Sequence, residues 1–499
     1  MKNLILNIAI ILLVNIQVSA QLVISPESSI TITDGTSLFI GTSLYIKSDV
    51  NGSGHLADQN LSGNTYISGD ISIERYLTAD GWHNVSAPLN NIISSAFTST
   101  DLIFYYDETI ILNDWNFGWV WYEGPLSLMR GYDIYLPSTS TTTYYAPSNN
   151  NLNTGTYSHN ITRTNPSNGE VENRKGWNLL GNPYPSPVDW LEETGWDKTD
   201  INDAKYIWNP NNNNYTIFLG GASPTGINGA TQYIPSNQGF WVQAVQNGSV
   251  QINNSARVGL AEGTPGYYKK SSADIPELRL LASGNGYTDE TLIRFLPEST
   301  VNFDKNLDAS KLFTVHDSVP QINTKISGEL LAINTLPELV ENLIVLLDFS
   351  CNTSGDYIIY LSNNSTIDSW NKIFLKDKTL GKVIDLTQER EYKFYHHTSN
   401  TKNRFSVLFN PSQNLLNNIQ KEDSFTVTSI KNTVTVVRNS TEFDGGIINI
   451  YNLLGQKITT ENLEPGTITN INLDAQSGYY IASIIINNQC FNYKIKIAQ

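Results

Sequence analysis

The chain has 499 residues, of which 40% are hydrophobic and 11% aromatic, so it can build real hydrophobic cores and is not a disordered chain. Its 31 Lys and Arg stand against 47 Asp and Glu, a formal net charge of −16. This balance argues against nucleic acid or an acidic membrane as partner, because such surfaces require clustered Lys and Arg.

Residues 1–20 have the layout of a secretory signal peptide. Lys2 precedes an apolar run over residues 4–14, and small residues follow up to Ala20, where cleavage would leave Gln21 as the first residue. The alternative is a membrane anchor, but Asn7 interrupts the apolar run and Asn15 ends it, so the run is short for a span of about 20 residues. We therefore expect export, with no transmembrane segment in the mature chain.

The rest of the sequence predicts an all-β, multi-domain protein. Helical patterns are nearly absent, and runs of four to eight Ile-, Val-, Tyr-, Phe- and Thr-rich residues alternate with Asn-Gly, Asp-Gly and Ser-Gly turns. Over residues 21–80 the strands are only three or four residues long, as in Leu44-Tyr45-Ile46, with short polar turns between them. This spacing favours a β-solenoid-like segment.

Residues 81–259 contain an internal duplication. The segment 81–88 (GWHNVSAP) matches 176–183 (GWNLLGNP), an offset of 95, and 130–135 (RGYDIY) matches 238–243 (QGFWVQ), an offset of 108. An aromatic strand lies between the two matched segments in each copy, Trp119-Val120-Trp121-Tyr122 in the first and Tyr206-Ile207-Trp208 in the second. We interpret 81–170 and 176–259 as two copies of one aromatic-rich β-unit, each too small to bury its sheet face alone.

Two further modules follow. A linker is expected over residues 260–274, a β-sandwich domain over 275–409 and a second linker over 410–423. The last module, 424–499, contains an alternating strand, the turn Asn-Leu-Leu-Gly-Gln, a Gly-Tyr-Tyr strand and a basic final strand. Its motif residues are Tyr451, Asn452, Leu453, Leu454, Gly455, Gln456, Gly478 and Tyr480.

This last module resembles the type A C-terminal sorting domain of the bacterial type IX secretion system. The resemblance implies a seven-strand Ig-like sandwich that serves as an export tag, with the secretion machinery as partner. It also implies a secreted or outer-membrane cell-surface location in a Gram-negative bacterium. An ordinary Ig-like domain with a binding or spacer role is the alternative. The middle of the chain resembles uncharacterised cell-surface proteins that carry the same tag, and no chemistry follows from that likeness.

Tryptophan-rich runs are the feature that suggests a ligand. Trp115, Trp119, Trp121 and Tyr122 lie close together, and Trp119 and Trp121 share one face of a strand, where exposed rings would form a sugar-binding platform. The alternative is a buried core, because a Trp ring buries about 150–250 Å² of surface. We favour the core for these rings.

No catalytic residue, metal ligand or cofactor is predicted. The six histidines lack the spacing of a metal site. Asp189, Glu192 and Glu193 beside Trp190 could form the acid pair of a glycoside hydrolase, although a short surface turn explains them as well. The favoured hypothesis is a non-enzymatic adhesin or carbohydrate-contacting surface protein, with extracellular glycan as a partner. The alternatives are a secreted polysaccharide hydrolase or lyase, and a purely structural spacer.

Overall fold

The structure is a computed structural model that describes most of the chain after residue 20. The described residues are 21–61, 65–78, 81–97, 102–110, 118–147, 152–164, 175–259, 275–326, 328–367, 371–399, 403–416, 425–438, 446–463, 468–486 and 489–497. Ala20 of the predicted cleavage site and the predicted linker 260–274 lie outside them. Within these ranges, no helix combines the length and the apolar character that crossing a membrane requires.

The N-terminal region is a small parallel β-solenoid, as predicted. Its nine strands are β1 (Leu22–Ile24), β2 (Ser29–Ile32), β3 (Leu38–Ile40), β4 (Leu44–Ile46), β5 (Ser48–Asp49), β6 (Gly52–Ser53), β7 (His55–Asp58), β8 (Thr65–Ile67) and β9 (Ile71–Leu77). Strands β1, β4 and β9 pair in parallel on one side, β2 with β7 on a second and β3 with β8 on a third. The chain therefore coils in rungs, and buried Leu44 lies between Leu22 and Ile71 of the neighbouring rungs.

The next region contains the two predicted β-units. The first has β10 (Gly81–Val85), β11 (Ile103–Tyr106), β12 (Trp119–Trp121), β13 (Tyr132–Leu136), β14 (Ser140–Ala146) and β15 (Tyr157–Ile161). The second has β16 (Trp177–Gly181), β17 (Val188–Asp189), β18 (Trp196–Asp197), β19 (Ala204–Asn209), β20 (Asn214–Leu219), β21 (Thr225–Ile227), β22 (Tyr233–Ile234), β23 (Gly239–Gln243) and β24 (Gly248–Ile252). Short 3-10 turns cover Ser94–Ala96, Glu108–Ile110, Glu193–Gly195 and Asn254–Ala256.

The main sheets of the two units have the same strand order, which confirms that the sheet units are duplicated. The first runs β10-β13-β11-β12 and the second β16-β23-β19-β20, with β21 added at its edge. The order also corrects one detail of the sequence comparison. The strand of Trp119 and Trp121 corresponds to β20, whereas the strand of Trp208 corresponds to β11. The aromatic runs misled the alignment because both strands of this hairpin are rich in aromatic residues.

The two units contact each other through an approximate two-fold relation. Val85 bridges Gln238, and Arg130 bridges Leu180. In the sequence repeat Val85 matches Leu180 and Arg130 matches Gln238, so the two bridges are the same contact made in both directions. Reciprocal contacts of this kind are the mark of a two-fold interface.

Glycines allow the two backbones to approach this closely. A Cβ on Gly131 would lie 2.5 Å from the carbonyl oxygen of Leu180, and a Cβ on Gly239 would lie 2.9 Å from the Cβ of Asn84. Because Gly131 and Gly239 are matched positions of the repeat, the same steric requirement explains both. The glycine of the repeated motif is thus a requirement of the interface between the units.

Strands and side chains connect the solenoid to both units across the predicted boundaries. Strand β14 of the first unit pairs antiparallel with β9 of the solenoid, and β15 pairs with β24 of the second unit. Arg257 is fully buried and donates hydrogen bonds to the carbonyl oxygen of Leu56 at 2.6 Å and to Oγ of Ser186 at 3.2 Å. These contacts make the solenoid and the two units one packed body.

The third region is a single large sheet that curls over itself. Its strands are β25 (Glu277–Gly284), β26 (Tyr287–Phe295), β27 (Ala309–Ser310), β28 (Gln321–Ile326), β29 (Glu329–Leu336), β30 (Leu343–Ser350), β31 (Gly355–Leu361), β32 (Ile373–Asp377), β33 (Lys382–Asp385), β34 (Glu391–His396) and β35 (Phe405–Phe409). The order is β33-β32-β35-β30-β28-β29-β26-β25-β31-β34, with β27 beside β29. Phe394 of β34 packs on Phe349 and Phe405 at ring distances of 5.0 and 4.9 Å, so distant strands face each other. The predicted sandwich is therefore a nearly closed, barrel-like sheet.

A buried ion pair fixes the second unit to this sheet. Lys311 Nζ lies 2.5 Å from Asp289 Oδ2, and their side chains are 1% and 0% exposed. The other carboxylate oxygen of Asp289 accepts hydrogen bonds from Asn214 and Asn228 of the second unit, at 2.9 and 3.1 Å. The pair thus lies where the two regions meet, with its polar atoms satisfied from both sides.

The C-terminal module is a seven-strand sandwich, as predicted. Its strands are β36 (Phe425–Ile430), β37 (Thr433–Arg438), β38 (Ile447–Asn452), β39 (Lys457–Asn462), β40 (Ile468–Asn472), β41 (Gly478–Ile486) and β42 (Gln489–Ile497). They form the sheets β36-β37-β40 and β39-β38-β41-β42. The core between the sheets consists of residues from 425–497 alone, including Ile450 and Ile484. The module therefore has a hydrophobic core of its own.

Candidate functional site: an aromatic cavity between the units

The main sheet of the first unit has one apolar face and one aromatic face. In the register of the sheet Trp82 lies opposite Tyr135, Asn84 opposite Asp133, and Phe104 opposite both Asp133 and Trp121. Directly paired residues of an antiparallel sheet point to the same side, so all of these side chains share one face. The other face contributes residues such as Ile134 to the core beneath the solenoid.

The aromatic face borders a cavity of about 450 Å³. Three separate parts of the chain surround it: the first unit, the hairpin β19–β20 of the second unit and one residue after β27. The lining residues are Trp82, Asn84, Phe104, Trp119, Asp133, Trp208, Tyr215 and Val315. We call this space the aromatic cavity. Its volume lies within the usual range of small-molecule sites, about 300–1,000 Å³.

Edge-to-face packing fixes the walls. Trp119 packs on fully buried Trp241 with ring centroids 5.5 Å apart and planes at 90°. On the opposite side Trp208 packs on Tyr215 at 5.1 Å, and its indole Nε1 donates a hydrogen bond to the carbonyl oxygen of Trp82 at 2.9 Å. That bond joins the two units across the cavity. The rings are therefore held in defined orientations before any ligand arrives.

A polar pair forms the floor. Asn84 Nδ2 donates to Asp133 Oδ1 at 2.8 Å, while Asn84 Oδ1 accepts from the indole Nε1 of Trp241 at 3.1 Å. These two bonds fix the orientation of the amide. Burial raises the pKa of Asp133 well above the usual value for an aspartate, and the hydrogen bond from Asn84 only partly opposes that effect.

The second unit shows what these positions look like when they serve only packing. There the residues matched to Asn84 and Asp133 are Leu179 and Trp241, which also lie directly opposite each other and are buried. Trp82 is 37% exposed, whereas its match Trp177 is 1% exposed and packs on a neighbouring ring in the core. The fold accepts an apolar pair at this place, so the polar pair and the open tryptophan are special to the first unit.

Comparison with known proteins gives a family without an assigned activity. Residues 3–409 match the family described as "Domain of unknown function (DUF8693)". The chain belongs to this family. No curated protein matches it. The solved structure of a "Biofilm associated protein - BSP domain" aligns at 9% identity over 86% of this chain and 92% of that chain, with a TM-score of 0.15, a likeness too low to support an argument about fold or function.

The DUF8693 region ends at the last residue of β35, so it contains the solenoid, both units and the barrel-like sheet. The aromatic cavity lies within it. The C-terminal sandwich lies beyond the match, which agrees with its separate core.

The tryptophan-rich strand, for which a sugar-binding platform was the alternative to the favoured core, contributes to the aromatic cavity only in part. Trp119 is half-buried and lines the cavity. Trp121 points to the same face but lies outside the lining and is 56% exposed, which departs from the core we favoured for it. Tyr122 packs on Tyr132 of the core beneath the sheet, at 5.4 Å. Trp115 lies outside the described residues, so its role stays a prediction.

Sequence reasoning missed most of the cavity. Trp82 and Trp208 entered the sequence analysis only as parts of the repeated segments, and Phe104, Asp133 and Tyr215 were not singled out. A usable signal was present in the repeat, where Asp133 of the first copy stands against Trp241 of the second. A charged residue matched to a buried tryptophan indicates that the two copies have different tasks at that position.

The other acidic candidates have structural roles. Trp190 is fully buried, so it offers no surface to a sugar. Asp189 accepts hydrogen bonds from the backbone of Leu191 and from the amide of Gln232 at 2.9 and 2.8 Å, and Glu192 caps the turn that follows. Within the described ranges no three His, Cys, Asp or Glu side chains come together in a way that could hold a metal ion.

The residues of the predicted sorting motif form the tip of the hairpin β38–β39 and the start of β41. Asn452 Oδ1 accepts hydrogen bonds from the backbone of Leu454 and Gln456, both at 3.0 Å, and Gly455 adopts a positive φ of 79°. Leu454 is 86% exposed as a result. Tyr480 lies opposite Asn452 in the sheet, with its ring in the core. The motif thus combines a structured turn with an exposed apolar tip.

Proposed function

We propose that this protein is an exported surface protein that binds carbohydrate in the aromatic cavity and does not modify it. The observation that carries the proposal is the difference between the two units. One has an open tryptophan and a polar pair where the other has a closed apolar pair. Asn84 also accepts the buried indole N–H of Trp241, but the open Trp82 and the carboxylate of Asp133 have no counterpart in the closed second unit and remain available to a ligand.

Carbohydrate suits the chemistry of these walls. The faces of indole rings attract the C–H groups of a sugar ring, and the few polar groups of such a site orient its hydroxyls. Trp82, Trp119 and Trp208 supply the rings, while Asn84 and Asp133 supply the polar contacts.

Binding is favoured over hydrolysis because of the number of carboxylates. Most glycoside hydrolases need two, about 5–9.5 Å apart, one of them as acid and the other as base or nucleophile. Among the described residues, the cavity lining contains one carboxylate, that of Asp133. A single acid can hold a sugar but does not provide both roles.

We further propose that the C-terminal module directs export through the type IX secretion system to the surface of a Gram-negative cell. The support is the resemblance of its motif, together with a separate core that allows it to fold as a tag. Deleting residues 425–499 should leave the rest of the protein in the periplasm. Surface display that is unchanged by the deletion would contradict this part of the proposal.

The binding proposal is tested with the mature chain on a glycan array, followed by titration with tryptophan fluorescence. Trp82→Ala and Trp208→Ala should each weaken binding about tenfold or more, since each removes a cavity wall. Trp121→Ala is the matched control, because this ring shares the sheet face but lies outside the cavity. Absence of binding above background, or equal losses in all three variants, would refute carbohydrate binding in the cavity.

A further inference from the structure

Among the described residues, the lining of the aromatic cavity contains one acidic side chain and no Lys, Arg or His. The acidic side chain is that of Asp133, at the floor. Among the described residues, the hydrogen bond to this carboxylate comes from the neutral amide of Asn84. Among the residues that the structure describes, no cation pairs with this carboxylate.

Elsewhere the fold places its own cations over aromatic rings. Lys198 lies 4.3 Å from the ring centre of Trp190, Arg257 lies 4.7 Å from that of Tyr184, and Arg404 lies 4.7 Å from that of Phe394. Two of these cations are nearly or fully buried. The lining of the aromatic cavity, as far as the structure describes it, combines indole side chains and a carboxylate with no cation of its own.

Three indoles, a phenyl ring and a phenol ring around one carboxylate form a cage with a preference for positive charge. A cation within about 6 Å of an aromatic ring centre is attracted by the negative face of the ring, most strongly in the case of Trp. The protein's net charge of −16 favours the approach of a cation as well.

We propose that the aromatic cavity binds the protonated amino group of an amino sugar, with the ammonium between the indoles and the carboxylate of Asp133. The inference rests on the proposed carbohydrate binding and names the class of sugar. The same chemistry could also be supplied by a small quaternary ammonium compound, which the experiment distinguishes.

The elevated pKa of Asp133 is consistent with this arrangement. Burial disfavours the charged carboxylate in the empty cavity, and a bound cation would compensate for that cost.

The test uses three β-1,4-linked tetrasaccharides that differ only at C2: glucosamine, N-acetylglucosamine and glucose. They are titrated into the mature chain by calorimetry in a series of buffers from slightly acidic to slightly alkaline pH, because low pH protonates the amino groups while higher pH favours the ionised form of Asp133, whose pKa is raised. The glucosamine oligomer should bind about tenfold more tightly than either neutral one. Asp133→Asn should remove most of that difference, because it keeps the size of the side chain and removes its charge. Trp121→Ala should leave the difference unchanged.

A second pair of probes separates the ammonium group from the sugar. Choline and its uncharged carbon analogue have the same shape, so tighter binding of choline would support the cation cage. Equal affinity for charged and neutral sugars would overturn the inference and leave carbohydrate binding intact. Choline binding without sugar binding would keep the cation cage but overturn the amino sugar and the proposed function. Failure of every probe with folded protein would overturn both.

The unfolding temperature of Asp133→Asn is compared with that of the parent protein, to show that the variant is folded. Trp82→Leu provides a second variant, which weakens the cage from the opposite wall. If Trp82→Leu reduced affinity for neutral and charged sugars by the same factor while Asp133→Asn had no effect, the cationic preference would be refuted.

Discussion

Loss of the buried lysine between the second unit and the barrel-like sheet should destabilise the protein strongly. Lys311→Met leaves the carboxylate of Asp289 fully buried, with contacts only to neutral donors. Removing one partner of a buried ion pair costs about 3–5 kcal/mol, because the remaining charge is uncompensated. The matched control is Lys393→Met. Lys393 forms an ion pair with Glu391 at 3.0 Å, but its side chain is 69% exposed, so the loss should be under about 1 kcal/mol.

The measurement is urea unfolding followed by tryptophan fluorescence. All ten tryptophans precede residue 425, so the signal reports on the region up to the barrel-like sheet and not on the C-terminal sandwich. The double variant Lys311→Met with Asp289→Asn should recover part of the lost free energy, because the isolated charge is gone. Equal effects of Lys311→Met and Lys393→Met, or no recovery in the double variant, would refute the reasoning. Asn214 donates a hydrogen bond to Asp289, the partner of Lys311, and the next residue, Tyr215, lines the cavity. Because Lys311→Met disturbs this contact, it should also weaken ligand binding.

Three further results are expected. Burial, with a smaller contribution from nearby Arg75, lowers the pKa of His55 from 6.5 to about 4. Between these pH values the unfolded chain binds more protons than the folded one, so the free energy of unfolding should rise by about 3 kcal/mol from pH 4 to 6.5. His55→Phe should flatten that rise when it is measured by urea unfolding. Gly131→Ala should cost about 1–3 kcal/mol because its Cβ would meet a backbone oxygen, whereas Gly81→Ala, whose nearest contact is 3.7 Å away, should cost less than 1 kcal/mol in the same assay. Deleting residues 425–499 should change the tryptophan-monitored free energy of unfolding by no more than about 0.5 kcal/mol, since that sandwich has its own core, and a larger change would contradict its independence.

Local patterns in the sequence were sufficient for the elements and for much of the architecture. Three-residue strands with short turns predicted the rungs around Leu44, and the resemblance of the last 75 residues to a sorting domain implied the C-terminal sandwich. The repeat predicted two equivalent sheets. In each case the signal lies within a few dozen residues, because strand length, turn chemistry and burial alternation are local properties.

The contacts that make the cavity could not be predicted in this way. Trp82, Asp133, Trp208 and Val315 meet only because sheets from different parts of the chain pack together, and no pattern in one strand encodes that meeting. The pairing of β14 with the solenoid is also non-local. The aromatic composition of a strand could not show whether its rings line a cavity or fill a core. Trp119, for example, does both, because it packs on buried Trp241 and also lines the cavity.

The reciprocal bridges between Val85 and Gln238 and between Arg130 and Leu180 have an evolutionary reading. They describe how one ancestral unit would pair with an identical copy of itself, before the two coding segments became one. Fusion removes the need for both halves to remain the same, because each position can then mutate alone. Asp133 and Trp241 occupy matched positions of the repeat and differ, so in this chain one half contributes a carboxylate to the cavity where the other contributes a buried ring that supports its wall.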